Sequence, residues 1–198
     1  MVRISVDLWF KSLFNFIGLH SISATLYFAA FIGAVILYRK RANLKKIKKR
    51  YFGWMLAESL VYAILISLII SGFLSFIFNM SGNGPLSELS KLQLIALSLG
   101  AGLYEELFFR VILVSVLVLL FKKLFSNIYT PFILATILAA LIFSGVHYIG
   151  EFGDFFTFSS FLFRFLFGLA LNLIYVTRGF GVAAWTHAIY DLIVVTQL

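Results

Sequence analysis

Apolar stretches alternate with short clusters of charged and turn residues along the whole chain. Six stretches stand out, at residues 18–38, 55–78, 91–121, 131–147, 156–176 and 182–198. About 20 predominantly apolar residues suffice to carry a helix across the hydrocarbon core of a bilayer. The pattern predicts an all-α fold: a polytopic transmembrane helical bundle of about six spans, within a range of six to eight. As one helix at about 1.5 Å per residue, the third stretch would reach about 45 Å. It is therefore expected to tilt, break or project from the bilayer, and a split near Gly100 or Gly102 would make seven helices. Residues 1–16 mix Val6, Leu8, Trp9, Phe10, Leu13 and Phe14 with Arg3, Asp7 and Lys11. That mixture predicts an interfacial helix or an extension of the first span. It lacks the compact apolar run and small-residue cleavage site of a signal peptide.

Composition narrows the class. Of 198 residues, 62% are hydrophobic and 12% charged. A soluble domain needs about a quarter charged residues to cover its surface, so a soluble globular protein is excluded. Intrinsic disorder is excluded by the same apolar content. The expected organisation is one integral membrane domain over 1–198, with a catalytic core over 95–198. The chain has no cysteine, which removes disulfides, thiolate metal sites and thiol nucleophiles.

The net charge of +8 changes the picture only through its placement. Eight basic residues lie in one loop, residues 39–50, and Lys122, Lys123 and Arg178 follow the third and fifth stretches. With six spans these loops share one side and hold eleven of the sixteen basic residues, while Glu88, Glu151 and Asp154 occupy the other side. Cytoplasmic loops carry the excess of Lys and Arg. The expectation is a multi-pass protein of a bacterial or archaeal cell membrane, with its basic loops cytoplasmic. The lipid bilayer is then a partner. Nucleic acid is not, because that needs a basic patch on a folded soluble surface.

Ionisable groups inside apolar spans are costly and mark functional sites by default. Glu58, Glu105, Glu106, Arg110, His147, Arg164, His187 and Asp191 qualify. Glu106 and Arg110 are four apart, hence on one helix face, and are expected to pair. Glu105 lies about 100° round the helix and lacks that partner, which suits a general base or acid. Phe143 sits one turn from His147, and Ser144 with Gly145 is expected to let another helix approach. His187 and Asp191 also share a face, where the carboxylate can orient the imidazole. Carboxylates and two imidazoles on three apolar helices can converge only inside the bundle. There Glu105 can deprotonate a water, His147 position the water or the carboxylate, and His187 donate to a developing oxyanion. No cofactor is expected. The competing chemistry is a divalent metal such as zinc, held by Glu105, His147 and His187.

At these residues the sequence resembles the CPBP family of intramembrane proteases, the CAAX-protease and bacteriocin-processing group also called Abi. The family pattern is Glu-Glu-x-x-x-Arg, Phe-x-x-x-His and His-x-x-x-Asn or Asp. It appears as Glu105, Glu106 and Arg110, then Phe143 and His147, then His187 and Asp191. Gly168 and the Thr177-Arg178-Gly179 turn before the last helix also fit. The resemblance implies a glutamate-dependent endopeptidase that cuts near the C-terminal end of a membrane-anchored or lipidated protein. It implies Glu105 as base, His147 as its partner, and His187 with Asp191 at the oxyanion site. Asp191 stands where many members carry Asn. A carboxylate donates no hydrogen bond unless protonated, so Asp191 is given an orienting role. Small bacterial members resemble sorting peptidases that trim a C-terminal transmembrane anchor, and that is the expected subtype. Two other classes stay open at this stage: a non-catalytic scaffold or bacteriocin-immunity protein, and a proton-coupled transporter. Outside the motifs, Arg164 is expected to snorkel to headgroups or dock a substrate carboxylate. Glu58 is expected to be solvated near the cytoplasmic interface, and Asn172 to make an interhelical hydrogen bond.

Overall fold

The computed structural model describes residues 48–78, 91–149 and 154–196, with scattered positions between 27 and 41. Those scattered positions are helical. The expectation for residues 1–16 lies outside the described residues. Every described element is a helix, in agreement with the all-α expectation. In chain order they are α1 (Lys49–Phe78), α2 (Lys91–Glu106), a π-helical segment (Leu107–Val114), α3 (Ser115–Leu124), α4 (Thr130–Val146), α5 (Phe158–Arg178) and α6 (Phe180–Thr196).

Local chemistry sets several of the boundaries. Pro131 opens α4 in its first turn, where its missing N–H costs nothing. Thr157 caps α5, its hydroxyl accepting from the amide of Ser160 at 3.2 Å, which satisfies one of the free N–H groups of that terminus. Gly179 ends α5 with φ +91°, a left-handed conformation that glycine adopts without strain. The chain reverses there and α6 starts at the next residue.

Helices α1 and α5 are long and apolar enough to cross a membrane, over Lys49–Ile77 and Phe158–Arg178. Apolar stretches of α4 and α6 are shorter. Leu68, Ile69 and Phe76 of α1 are 66%, 68% and 90% exposed, a surface suited to lipid rather than water. The third stretch is one continuous helical run from Lys91 to Leu124. It does not split at Gly100 or Gly102. Its irregularity comes later, in the eight π-helical residues directly after the glutamate pair.

Helix α6 is the hub of the packing, against α1, α2 and α5, while α4 packs on α3 and α5. Ile70, Phe109, Phe143, Phe167, Leu171 and Val182 form the heart of the buried apolar core. Among the described glycines, Gly102 sits tightest against a neighbouring helix. A Cβ there would stand 2.6 Å from the Ala184 carbonyl oxygen and 2.7 Å from the Ala188 Cβ. Gly102→Ala must push α2 off α6, and overpacking of this kind costs about 1–3 kcal/mol. Thermal unfolding in detergent should show that loss, with a fall in activity because α2 carries both glutamates. Gly168 is also packed, its added Cβ 3.0 Å from the Phe143 ring. Gly145, expected at a close approach, has nothing within 4 Å of the position a Cβ would take. Its neighbour Ser144 does join two helices, donating to the Phe161 carbonyl at 2.7 Å.

Two polar ties complete the frame. Asn172 donates to the Thr136 carbonyl at 2.7 Å, the interhelical bond expected of it. Glu58 is solvent-accessible, as expected, and is also paired. Arg178 holds its carboxylate with two nitrogens at 2.5 and 2.8 Å, and Tyr62 donates to it at 2.9 Å. The start of α1 and the end of α5 therefore meet at the same end of the bundle.

Candidate active site

Glu105 and Glu106 end α2, at 3% and 0% exposure. Arg110, one turn on in the π segment, is also fully buried. Its Nε lies 2.9 Å from Oε2 of Glu106, the i,i+4 pair that the spacing predicted. Its two terminal nitrogens have no hydrogen-bond partner among the described residues. The guanidinium instead faces the Phe143 ring, 4.7 Å from its centre, where the π face offsets part of the cost of burying the charge.

Glu106 has a second partner that spacing along the chain did not reveal. Its Oε1 accepts from Nδ1 of His187 at 2.8 Å. One carboxylate thus bridges the buried arginine and the α6 imidazole. A carboxylate only accepts, so with Glu106 as acceptor Nδ1 of His187 is the donor of that bond. This bond fixes the imidazole from α2, on the nitrogen that Asp191 does not reach. Asp191 stands at the other nitrogen, its Oδ2 3.7 Å from Nε2 of His187. It can compensate charge there but, as a carboxylate, offers no donor.

His147 lies at the C-terminal end of α4. Its Nδ1 lies 2.7 Å from the Phe143 carbonyl, which can only accept, so Nδ1 is protonated and Nε2 faces the site. Both imidazoles therefore present Nε2 toward Glu105. Each Nε2 is 4.0 Å from Glu105 Oε2. No direct hydrogen bond forms at that separation, and one water can bridge it.

Aromatic rings wall this group. Phe143 meets His147 edge to face with ring centres 4.9 Å apart, and Phe167 meets His187 likewise at 5.2 Å. Phe143 belongs to the motif. Phe167 carried no signal in the sequence, being one of many phenylalanines in apolar spans. The structure thus gathers Glu105, Glu106, Arg110, Phe143, His147, His187 and Asp191 from α2, the π segment, α4 and α6. Arg164 is placed differently: it lies in a polar network beside His147, bonded to Tyr148, Ser160 and Asp154, and does not simply reach for headgroups. Among the described residues no three His, Asp or Glu side chains stand close enough to hold a metal ion.

A family model described as type II CAAX prenyl endopeptidase Rce1-like matches residues 87–193. The match covers more than half of the chain and every residue of the gathered group. The chain belongs to the Rce1-like family. Neither the curated proteins nor the solved structures contain a match to it. Membership in the Rce1-like family makes the chain an integral membrane peptidase of CAAX type, with a membrane-associated protein as substrate. It accords with the CPBP resemblance carried by the three motifs, and neither the scaffold nor the transporter reading is favoured.

Proposed function

We propose that this Rce1-like protein hydrolyses a peptide bond near the C-terminal end of a membrane-anchored protein, using water activated by Glu105 and His147. One observation carries the reading: Glu105 Oε2 stands 4.0 Å from Nε2 of both imidazoles, while each Nδ1 is committed elsewhere. A water in that gap donates one proton to Glu105 and the other to His147 Nε2. Attack on the scissile carbonyl places a proton on Glu105 and negative charge on the carbonyl oxygen. His187 donates to that oxygen from Nε2 while doubly protonated, its charge compensated by the carboxylates of Glu106 and Asp191. Collapse of the intermediate breaks the C–N bond, and Glu105 returns its proton to the leaving amine. Protons and electrons balance without a further reactant. The proposed mechanism uses no metal, so a divalent-metal chelator should leave turnover unchanged.

The six-span arrangement with cytoplasmic basic loops belongs to the same proposal. It puts the Glu58–Arg178 pair at the cytoplasmic end and His147 toward the opposite face, where the anchor of an exported protein is accessible. The deciding experiment reconstitutes the full chain in liposomes. It offers one substrate with a C-terminal transmembrane anchor and one with a prenylated C-terminal tail, and mass spectrometry reads the products. A new terminus near the anchored end, formed by the native chain and not by the Glu105→Gln variant, is the expected result. No cleavage of either substrate, or equal cleavage by both proteins, overturns it.

A further inference from the structure

We propose that Arg164 and Asp154 form a brace that positions His147 for the proposed hydrolysis, on which this inference rests. His147 is a poor place for a precise catalytic group by itself. It caps the C-terminus of α4, where carbonyls lack intrahelical partners and the last turn frays. Among the described residues its imidazole hydrogen-bonds to the Phe143 carbonyl of its own helix, so it goes wherever that last turn goes.

The surroundings tie the turn down from α5. The amide of Asp154 donates to the carbonyl of His147 at 2.9 Å. The Asp154 carboxylate accepts from Nη2 of Arg164 at 2.5 Å. Nη1 of the same guanidinium donates to the Tyr148 hydroxyl at 2.6 Å and to the Ser160 hydroxyl at 2.9 Å. Those two hydroxyls also touch each other. The guanidinium plane lies over the Tyr148 ring, 5.1 Å from its centre. One arginine therefore holds the backbone of His147 through Asp154 and the side chain of the next residue directly. Its anchor, Ser160, stands in the first turn of α5, which Thr157 caps.

This arrangement also bears on the alternative of a docking charge. Both terminal nitrogens of Arg164 are already engaged by groups of the protein. These bonds use three of the five N–H donors of the guanidinium, so a substrate carboxylate would have to share it with Asp154. The bonds are worth more as alignment: displacing a reacting group by about 1 Å can cost about a hundredfold in rate. Arg164 is thus a positioning residue, acting on the reaction through His147.

The test uses the full chain in liposomes with Arg164→Gln, Arg164→Lys and Asp154→Asn. The rate kcat and KM are measured separately on substrates ending in a free carboxylate and in an amide. Modification of His147 and His187 by diethyl pyrocarbonate is followed by mass spectrometry in the same preparations. Arg164→Gln should lower kcat about ten- to a hundredfold, equally for both substrate ends, with little change in KM. Arg164→Lys should recover part of the loss, and Asp154→Asn should show an intermediate one. His147 should react several-fold faster in Arg164→Gln while His187 keeps its native rate. A defect confined to KM for the free-carboxylate substrate makes Arg164 a docking charge and overturns the brace. Unchanged kcat, or equal acceleration at both histidines, overturns it too. If the native chain cleaves nothing, the proposed hydrolysis falls, and the histidine modification rates still decide whether the brace exists.

Discussion

Exchange of Glu105 for Gln should lower peptide cleavage by about 10²–10⁴-fold, the usual contribution of a general acid–base group, while leaving the fold intact. The two halves of that expectation have separate physical grounds. Gln fills the same volume as Glu, and the nearest ionic partners of Glu105 among the described residues are the two imidazoles at 4.0 Å. Removing its charge breaks no short ion pair. An amide, however, cannot accept and return a proton at neutral pH. Cleavage assays beside thermal unfolding of the same preparation check both halves. A variant that cleaves normally removes Glu105 from the role of base. His147→Ala should be comparably severe, since it deletes the second acceptor of the water.

The neighbouring glutamate should behave in the opposite way, failing first in stability. Glu106→Ala strands a fully buried arginine whose terminal nitrogens have no other hydrogen-bond partner among the described residues. It also frees the Nδ1 proton of His187. Breaking a buried pair by removing one partner costs about 3–5 kcal/mol. Denaturant or thermal unfolding should show a loss of that order. Glu106→Gln should fall between native and Ala, because an amide oxygen still accepts from His187 while the charge facing Arg110 is gone. Equal stability of all three proteins would mean that the bridge from Arg110 to His187 holds nothing together. Adjacent glutamates thus divide the work: Glu105 faces the imidazoles across a water-sized gap, and Glu106 builds the frame.

That division shows how far spacing alone reaches. The i,i+4 rule pairs Glu106 with Arg110 correctly, because both partners lie on one helix and geometry along a helix is local. It also put His187 beside Asp191, and the two are neighbours at 3.7 Å. It did not show that His187 would be oriented from a different helix, because that contact spans 81 residues of chain. Glu58 is a similar case. Its position suggested a solvated charge, and the structure gives it Arg178, 120 residues away. The π-helical segment after Glu106 left no mark in the apolar pattern, since a run such as Leu107–Val114 reads as apolar in either helical form.

The amino-acid sequence by itself determined the class of solvent, the helical character and the motif residues that the fold gathers. Those follow from composition and from spacing within single helices, where each residue's environment depends on its near neighbours in the chain. Tertiary structure alone decided which nitrogen of each imidazole faces Glu105, which glutamate serves as frame, and how Arg164 reaches the end of α4. Those outcomes depend on how helices far apart in the chain are rotated and set against one another. Close contacts such as Gly102 against α6 govern that packing, and an apolar pattern that reads much the same around several faces of a helix does not encode it.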